Sequence, residues 1–224
     1  MLKGARYVGR GLADTYEHLA YFALMSLLWW LCAISVLLGP SATLALFTHA
    51  DPRIGTLKER LAFGETVRFV WHNLWRGWRL TLITLPVLLL LSYNIAFYGA
   101  RASAIGIISP LWFLLFVIGV VITASAFAIQ ALRDEERAVA AARLAALMTG
   151  AHLGHALLMM LLIVAVGVLF AILVIPFILF MPAFVAAVFN RFVLSSLRVS
   201  IPNPLEPTAE RTAEGKERRK WFGP

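Results

Sequence analysis

Cysteine is almost missing from this sequence. Cys32 stands alone, which excludes an intramolecular disulfide and any metal centre built on thiolates. It lies inside an apolar run and reads as a small buried apolar side chain. Charge is scarce as well: 14% of residues are charged and only 12 are Asp or Glu, against about a quarter charged in an ordinary soluble domain. The shortage is concentrated in long blocks with no ionised side chain. Hydrophobic residues make up 61% of the chain and the mean hydropathy is +0.82. Such blocks exclude a soluble globular protein and define an all-α, polytopic transmembrane helix bundle. The 20 Lys and Arg, a net charge of +8, then bear on membrane orientation and anionic headgroups, with no nucleic acid implied.

Ionised residues inside membrane spans mark ion coupling, proton relays and catalysis, because they are too costly to keep otherwise. The span interiors here hold no Asp, Glu or Lys. Their main polar residues are Asn94, Thr123, Ser125, Gln130 and Asn190, which hydrogen bonding between helices accounts for. His152 and His155 share a helical face at a metal-ligand spacing, yet no acidic or cysteine partner lies nearby, so they read as interfacial histidines. No phosphate-cradling glycine loop and no Ser/His/Asp arrangement occurs. The expectation is a protein that is not an enzyme and carries no cofactor and no metal.

What is present is a series of apolar runs long enough to cross about 30 Å of hydrocarbon. The pattern predicts about five spans, near residues 19–38, 80–98, 104–132, 153–174 and 176–197, within a single helical domain over 1–198. The first run is too deep and too aromatic (Trp29, Trp30) for a cleaved leader. No charged residue lies between Arg143 and Arg191. As one helix, 156–189 would be about 50 Å long, too long for one crossing. Pro176 and Pro182 therefore divide it into two spans with a tight turn, a single kinked helix being the competing reading. Residues 199–224, rich in Pro, Glu, Lys and Arg, read as a disordered tail.

Basic residues cluster in 49–79, 133–152 and the tail, and Arg101 alone lies between the second and third spans. Basic loops favour the cytoplasm, so these segments are expected inside and Arg101 outside. The N-terminus strains this scheme. If 19–38 crosses, Lys3, Arg6 and Arg10 lie outside. If Gly39-Pro40 turns the chain back, both ends stay inside. The residues alone leave both forms open.

Two loops carry structure of their own. In GETVRFVWHNLWRGWRL (64–80), Arg68, His72, Arg76 and Arg79 recur at helical spacing, and Trp71, Trp75 and Trp78 form an adjoining stripe. This predicts an interfacial amphipathic helix over 64–79, with tryptophan in the headgroup zone and the basic residues toward phosphates. Residues 133–150 are strong helix formers ended by Gly150 and read as a connector, or as a docking helix for a partner subunit.

The first apolar run ends in LLGPSATLALFTHADPR, with Gly39, Pro40, Ser41, Ala42 and Thr43 as a helix-break signature. Gly64, Glu65, Phe69 and Asn73 follow, with Pro176 and Pro182 late in the chain. In these features the sequence resembles the YesL-like family of bacterial integral membrane proteins, a domain of unknown function. The likeness is most specific over 37–80. It implies a plasma-membrane protein linked to carbohydrate uptake, often beside ABC importers. Two functions follow as expectations. One is a non-catalytic accessory or regulatory subunit that packs on another membrane protein or on its own copies. The other is an oligomeric small-molecule transporter or pore that turns the Gly39-Pro40 break toward its substrate.

Overall fold

The computed structural model describes residues 2–54, 63–100, 108–133 and 137–197. The described residues form nine α-helices: α1 (Leu2–Glu17), α2 (Leu19–Ile34), α3 (Gly39–His49), α4 (Phe63–His72), α5 (Leu74–Gly99), α6 (Ser109–Leu132), α7 (Ala138–Ala151), α8 (Leu153–Ile172) and α9 (Ile175–Ser196). Four of them, α5, α6, α8 and α9, are long and apolar enough to cross a membrane. A fifth span results if α1 and α2, bent by 98° where they meet, count as one. The chain is a multi-pass α-helical membrane protein. The expected tail, 199–224, lies outside the described residues, as do residues 104–107 of the expected third span.

The run expected to cross at 19–38 ends its helix at Ile34, and the chain then reverses. The Trp29 indole Nε1 donates to Thr43 Oγ1 at 3.0 Å, and Tyr21 Oη lies 2.6 Å from His49 Nδ1. Residues further back in α2 thus meet residues further forward in α3, which is the signature of an antiparallel hairpin. Of the two forms left open by the sequence, this hairpin has the geometry of the returning one. The 16 residues of α2 reach only about 24 Å, and the chain comes back beside its point of entry.

The other reversals are equally direct. In α5 and α6, Tyr98 stacks on Trp112 at one end, while the Arg76 guanidinium donates to the Gln130 carbonyl at the other. In α8 and α9, Gly167 faces Met181 and Phe170 packs on Phe184. The apolar block after Arg143 is therefore two antiparallel helices and not one kinked helix. Their turn rests on Val174, whose φ of 48° and ψ of −59°, with the Ile175 N–H donating to the Leu173 carbonyl, make a γ-turn that a β-branched residue adopts at a cost.

Helix α9 is the centre of the fold. From Ala183 to Leu194 nearly every side chain is buried, including Phe184, Phe189 and Phe192, as expected of a helix that is apolar all round. Ala183, Ala186 and Ala187 let neighbouring helices come close, which matters in lipid because packing rather than water exclusion holds spans together. By contrast α5 and α8 leave half of their leucines exposed, among them Leu82, Leu89, Leu90 and Leu161, and these face the acyl chains of the bilayer.

Helix α1 is a feature that the apolar-run pattern passes over. It is amphipathic: Val8, Gly11 and Thr15 are buried, while Arg6 and Arg10 are exposed. Its buried face lies on α9. A Cβ on Gly11 would stand 2.6 Å from Val188 Cγ2, so only glycine permits this approach. The Tyr7 and Ser195 hydroxyls are 3.0 Å apart. Asp14 holds Arg191 through Nε and Nη2 at 2.5 and 2.6 Å.

Candidate functional site

The signature Gly39–Thr43 opens α3, with Pro40 in the first turn where its missing N–H costs nothing. The polar groups around the break are taken up within the chain. The Ser41 hydroxyl donates to the Leu38 carbonyl at 3.0 Å, and the Thr43 hydroxyl to the Gly39 carbonyl at 2.9 Å while accepting from Trp29. Ser41 and Ala42 are buried. The α3 side of the break is covered by α5: a Cβ on Gly77 would fall 2.7 Å from Pro40 C and Ser41 N. One position further, the Trp78 indole donates to the Leu37 carbonyl at 2.8 Å. Backbone meets backbone here, and glycine at 77 is what allows it.

Helix α4 lies along α3 in the reverse direction. The Thr66 hydroxyl is 3.0 Å from His49 Nε2, and Val70 packs with Ala42 and Ala45. His49 is thereby bound on both ring nitrogens, to Tyr21 of α2 and Thr66 of α4, at 2% exposure. A cavity of about 10 Å³ beside it, lined by Met25, Trp29, Ala45, His49, Thr66 and Val70, has room for one water molecule.

The end of α3 continues into an arginine cap. Asp51 accepts the Arg53 backbone N–H and, at 2.8 to 3.0 Å, its guanidinium. So held, Arg53 donates to the Leu132 carbonyl at 2.8 Å, and Arg76 donates to the Gln130 carbonyl at 2.7 Å. Both carbonyls belong to the last turn of α6, which lacks intrahelical donors and carries the negative end of the helix dipole. Asn190 of α9 gives its amide to the Phe47 carbonyl in the last turn of α3, at 2.7 Å.

The residues expected to face lipid separate into two groups. The helix expected over 64–79 is interrupted at Asn73, whose side chain turns back to the Phe69 carbonyl at 3.1 Å. Residues 74–79 are the first turns of α5 and not the end of a separate interfacial helix. Arg68, Trp71, His72, Trp75 and Arg79 are exposed, and the Arg79 guanidinium lies over the Trp75 ring, 5.6 Å from its centroid. Arg76 and Trp78 turn inward and cap carbonyls. Once a helical period is drawn through the segment, the inward group is legible: Thr66, Val70, Gly77 and Leu80 are the buried residues of α4 and early α5.

The joint also uses residues that motif reading missed: Tyr21, His49, Asp51, Arg53 and Gly77. Trp30 belongs with them. Its indole donates to the Ile178 carbonyl at 3.0 Å, the carbonyl four residues before Pro182, which has no N–H to offer it. Proline at 182 was the available signal, since a proline inside a helix leaves an acceptor that some donor must meet. His152 and His155 pack edge to face with ring centroids 6.2 Å apart. Among the described residues no group of three or more His, Cys, Asp or Glu could hold a metal. Compared with protein-family models, with curated proteins and with solved structures, the chain finds no match.

Proposed function

We propose that this chain is a non-catalytic accessory or regulatory membrane protein, of the YesL-like kind its signature resembles, acting by packing against a larger membrane complex. A carbohydrate importer of the ABC type is the association that resemblance implies. The observation carrying this reading is the closed state of the Gly39–Thr43 break. Its hydroxyls donate to the carbonyls of Leu38 and Gly39, and its indole contacts and backbone are committed to α2 and α5, so the break serves as a joint that shapes α1–α4 on the spans. A substrate-facing break would instead present unpaired carbonyls and hydroxyls to a passage.

With the α2–α3 hairpin returning and α5, α6, α8 and α9 crossing, every Lys and Arg of the described residues falls on or at the edge of one side. Basic residues mark the cytoplasmic side. This reading removes the strain that Lys3, Arg6 and Arg10 put on a crossing first span, and places both termini inside the bacterial plasma membrane.

The pore reading keeps one observation in its favour. Both amide atoms of the buried Gln130, the Ser125 hydroxyl and Asn190 Oδ1 find no partner among the described residues, and a neutral polar lining would suit a neutral solute. Purification from native membranes after brief crosslinking, beside uptake of labelled sugars into reconstituted vesicles, separates the two. Stoichiometric recovery of importer subunits without intrinsic flux supports the accessory role. Flux through the protein alone would overturn it.

A further inference from the structure

We propose that the outward face of α4 and the first turns of α5 is a binding site for the headgroup of an anionic phospholipid; the inference rests on the membrane reading above. Arg68 and His72 are exposed one turn apart on α4, Trp71 and Trp75 are 60% and 61% exposed, and Arg79 follows one turn after Trp75. The opposite face is closed by Thr66, Val70, Gly77 and Leu80, so the stripe cannot turn inward.

From Trp75 the stripe continues along one face of α5, and its polarity changes in the order of a phospholipid. Cationic and aromatic side chains through residue 79 give way to exposed Leu82, Leu89 and Leu90, and then to Tyr93 and Phe97, stacked with centroids 5.9 Å apart. From Trp75 to Tyr93 the helix rises roughly 27 Å, close to the hydrocarbon thickness that separates two aromatic belts. Trp75 and Arg79 therefore stand at headgroup depth, with Arg68 and Trp71 on the preceding turns of α4 and exposed leucines below for the chains.

The charge selects the lipid. Among the described residues neither Arg68 nor Arg79 forms a salt bridge, and Glu65 is the one carboxylate on α4. Guanidinium groups pair with phosphate through two parallel hydrogen bonds. A choline headgroup would look for an open tryptophan face, but Arg79 already covers that of Trp75. A lipid with net negative charge is the one that fits.

The test uses the full chain in phosphatidylcholine vesicles and measures association of spin-labelled phosphatidylglycerol against spin-labelled phosphatidylcholine. The wild type should prefer phosphatidylglycerol, with the preference shrinking as salt rises. R68Q/R79Q should lose it, by roughly five-fold per arginine. R6Q/R10Q, which removes equal charge from the exposed face of α1, should keep it. No preference, or equal loss in both double variants, would overturn the site. So would displacement of the lipid by inorganic phosphate, which would mark a site for free phosphate. Flotation with the vesicles is scored separately: a chain that fails to float contradicts the membrane reading itself.

Discussion

Asp14 and Arg191, 177 positions apart, form a salt bridge that ties the amphipathic helix α1 to the central helix α9, with the arginine side chain only 2% exposed. Removing one partner of a buried pair leaves an uncompensated charge and typically costs about 3–5 kcal/mol, more than the intact pair contributes over an apolar replacement. Asp14→Ala should therefore destabilise strongly in thermal unfolding and free α1 for proteolysis. Asp14→Ala combined with Arg191→Met should recover most of the loss. If the double variant is no better than Asp14→Ala, the pair is not what holds α1.

The close approach of α5 to the helix break makes Gly77 more demanding than its exposed neighbours. Gly77→Ala should cost about 1–3 kcal/mol by forcing backbone apart, while Gly64→Ala, with nothing within 4 Å of the new methyl, should leave the melting temperature unchanged or raised. Equal effects at both positions would show that the joint tolerates a gap.

Trp30 and Pro182 should be coupled. With proline in place, Trp30→Phe leaves the Ile178 carbonyl without its donor and should cost about 1 kcal/mol. In a Pro182→Ala background the backbone N–H of residue 182 can reach that carbonyl, and Trp30→Phe should then cost little. A double-mutant cycle on unfolding free energies measures the difference. Additive effects would refute the pairing.

Val174 holds a positive φ of 48° in the γ-turn between α8 and α9. Val174→Gly should stabilise by about 1 kcal/mol, since the steric cost of that conformation disappears. A lower melting temperature for the glycine variant would mean that the turn is anchored by the valine side chain.

Single cysteines in a Cys32→Ala background test the sidedness. Residues 16, 71 and 147, all strongly exposed, should react only after the cytoplasmic face is opened. Residue 103 should react in intact cells. Labelling of residue 16 from outside would restore a crossing first span.

The amino-acid sequence by itself determined that this is an α-helical membrane protein and where four of its spans lie. These follow from length and polarity, since an apolar run either fits the hydrocarbon thickness or does not. That 153–197 is two helices and not one kinked helix took the contacts of Gly167 with Met181 and Phe170 with Phe184. That α3 folds back along α2 after Leu19–Leu38 was decided only by tertiary structure. The deciding terms are the bonds of Tyr21 with His49 and Trp29 with Thr43, and no local pattern encodes which distant groups will pair. The same holds for the arginines of 49–79. Periodicity placed Arg68, Arg76 and Arg79 on a helix, but the partners that draw Arg76 and the loop residue Arg53 inward are the bare carbonyls at the end of α6, which exist only once that helix has ended beside them.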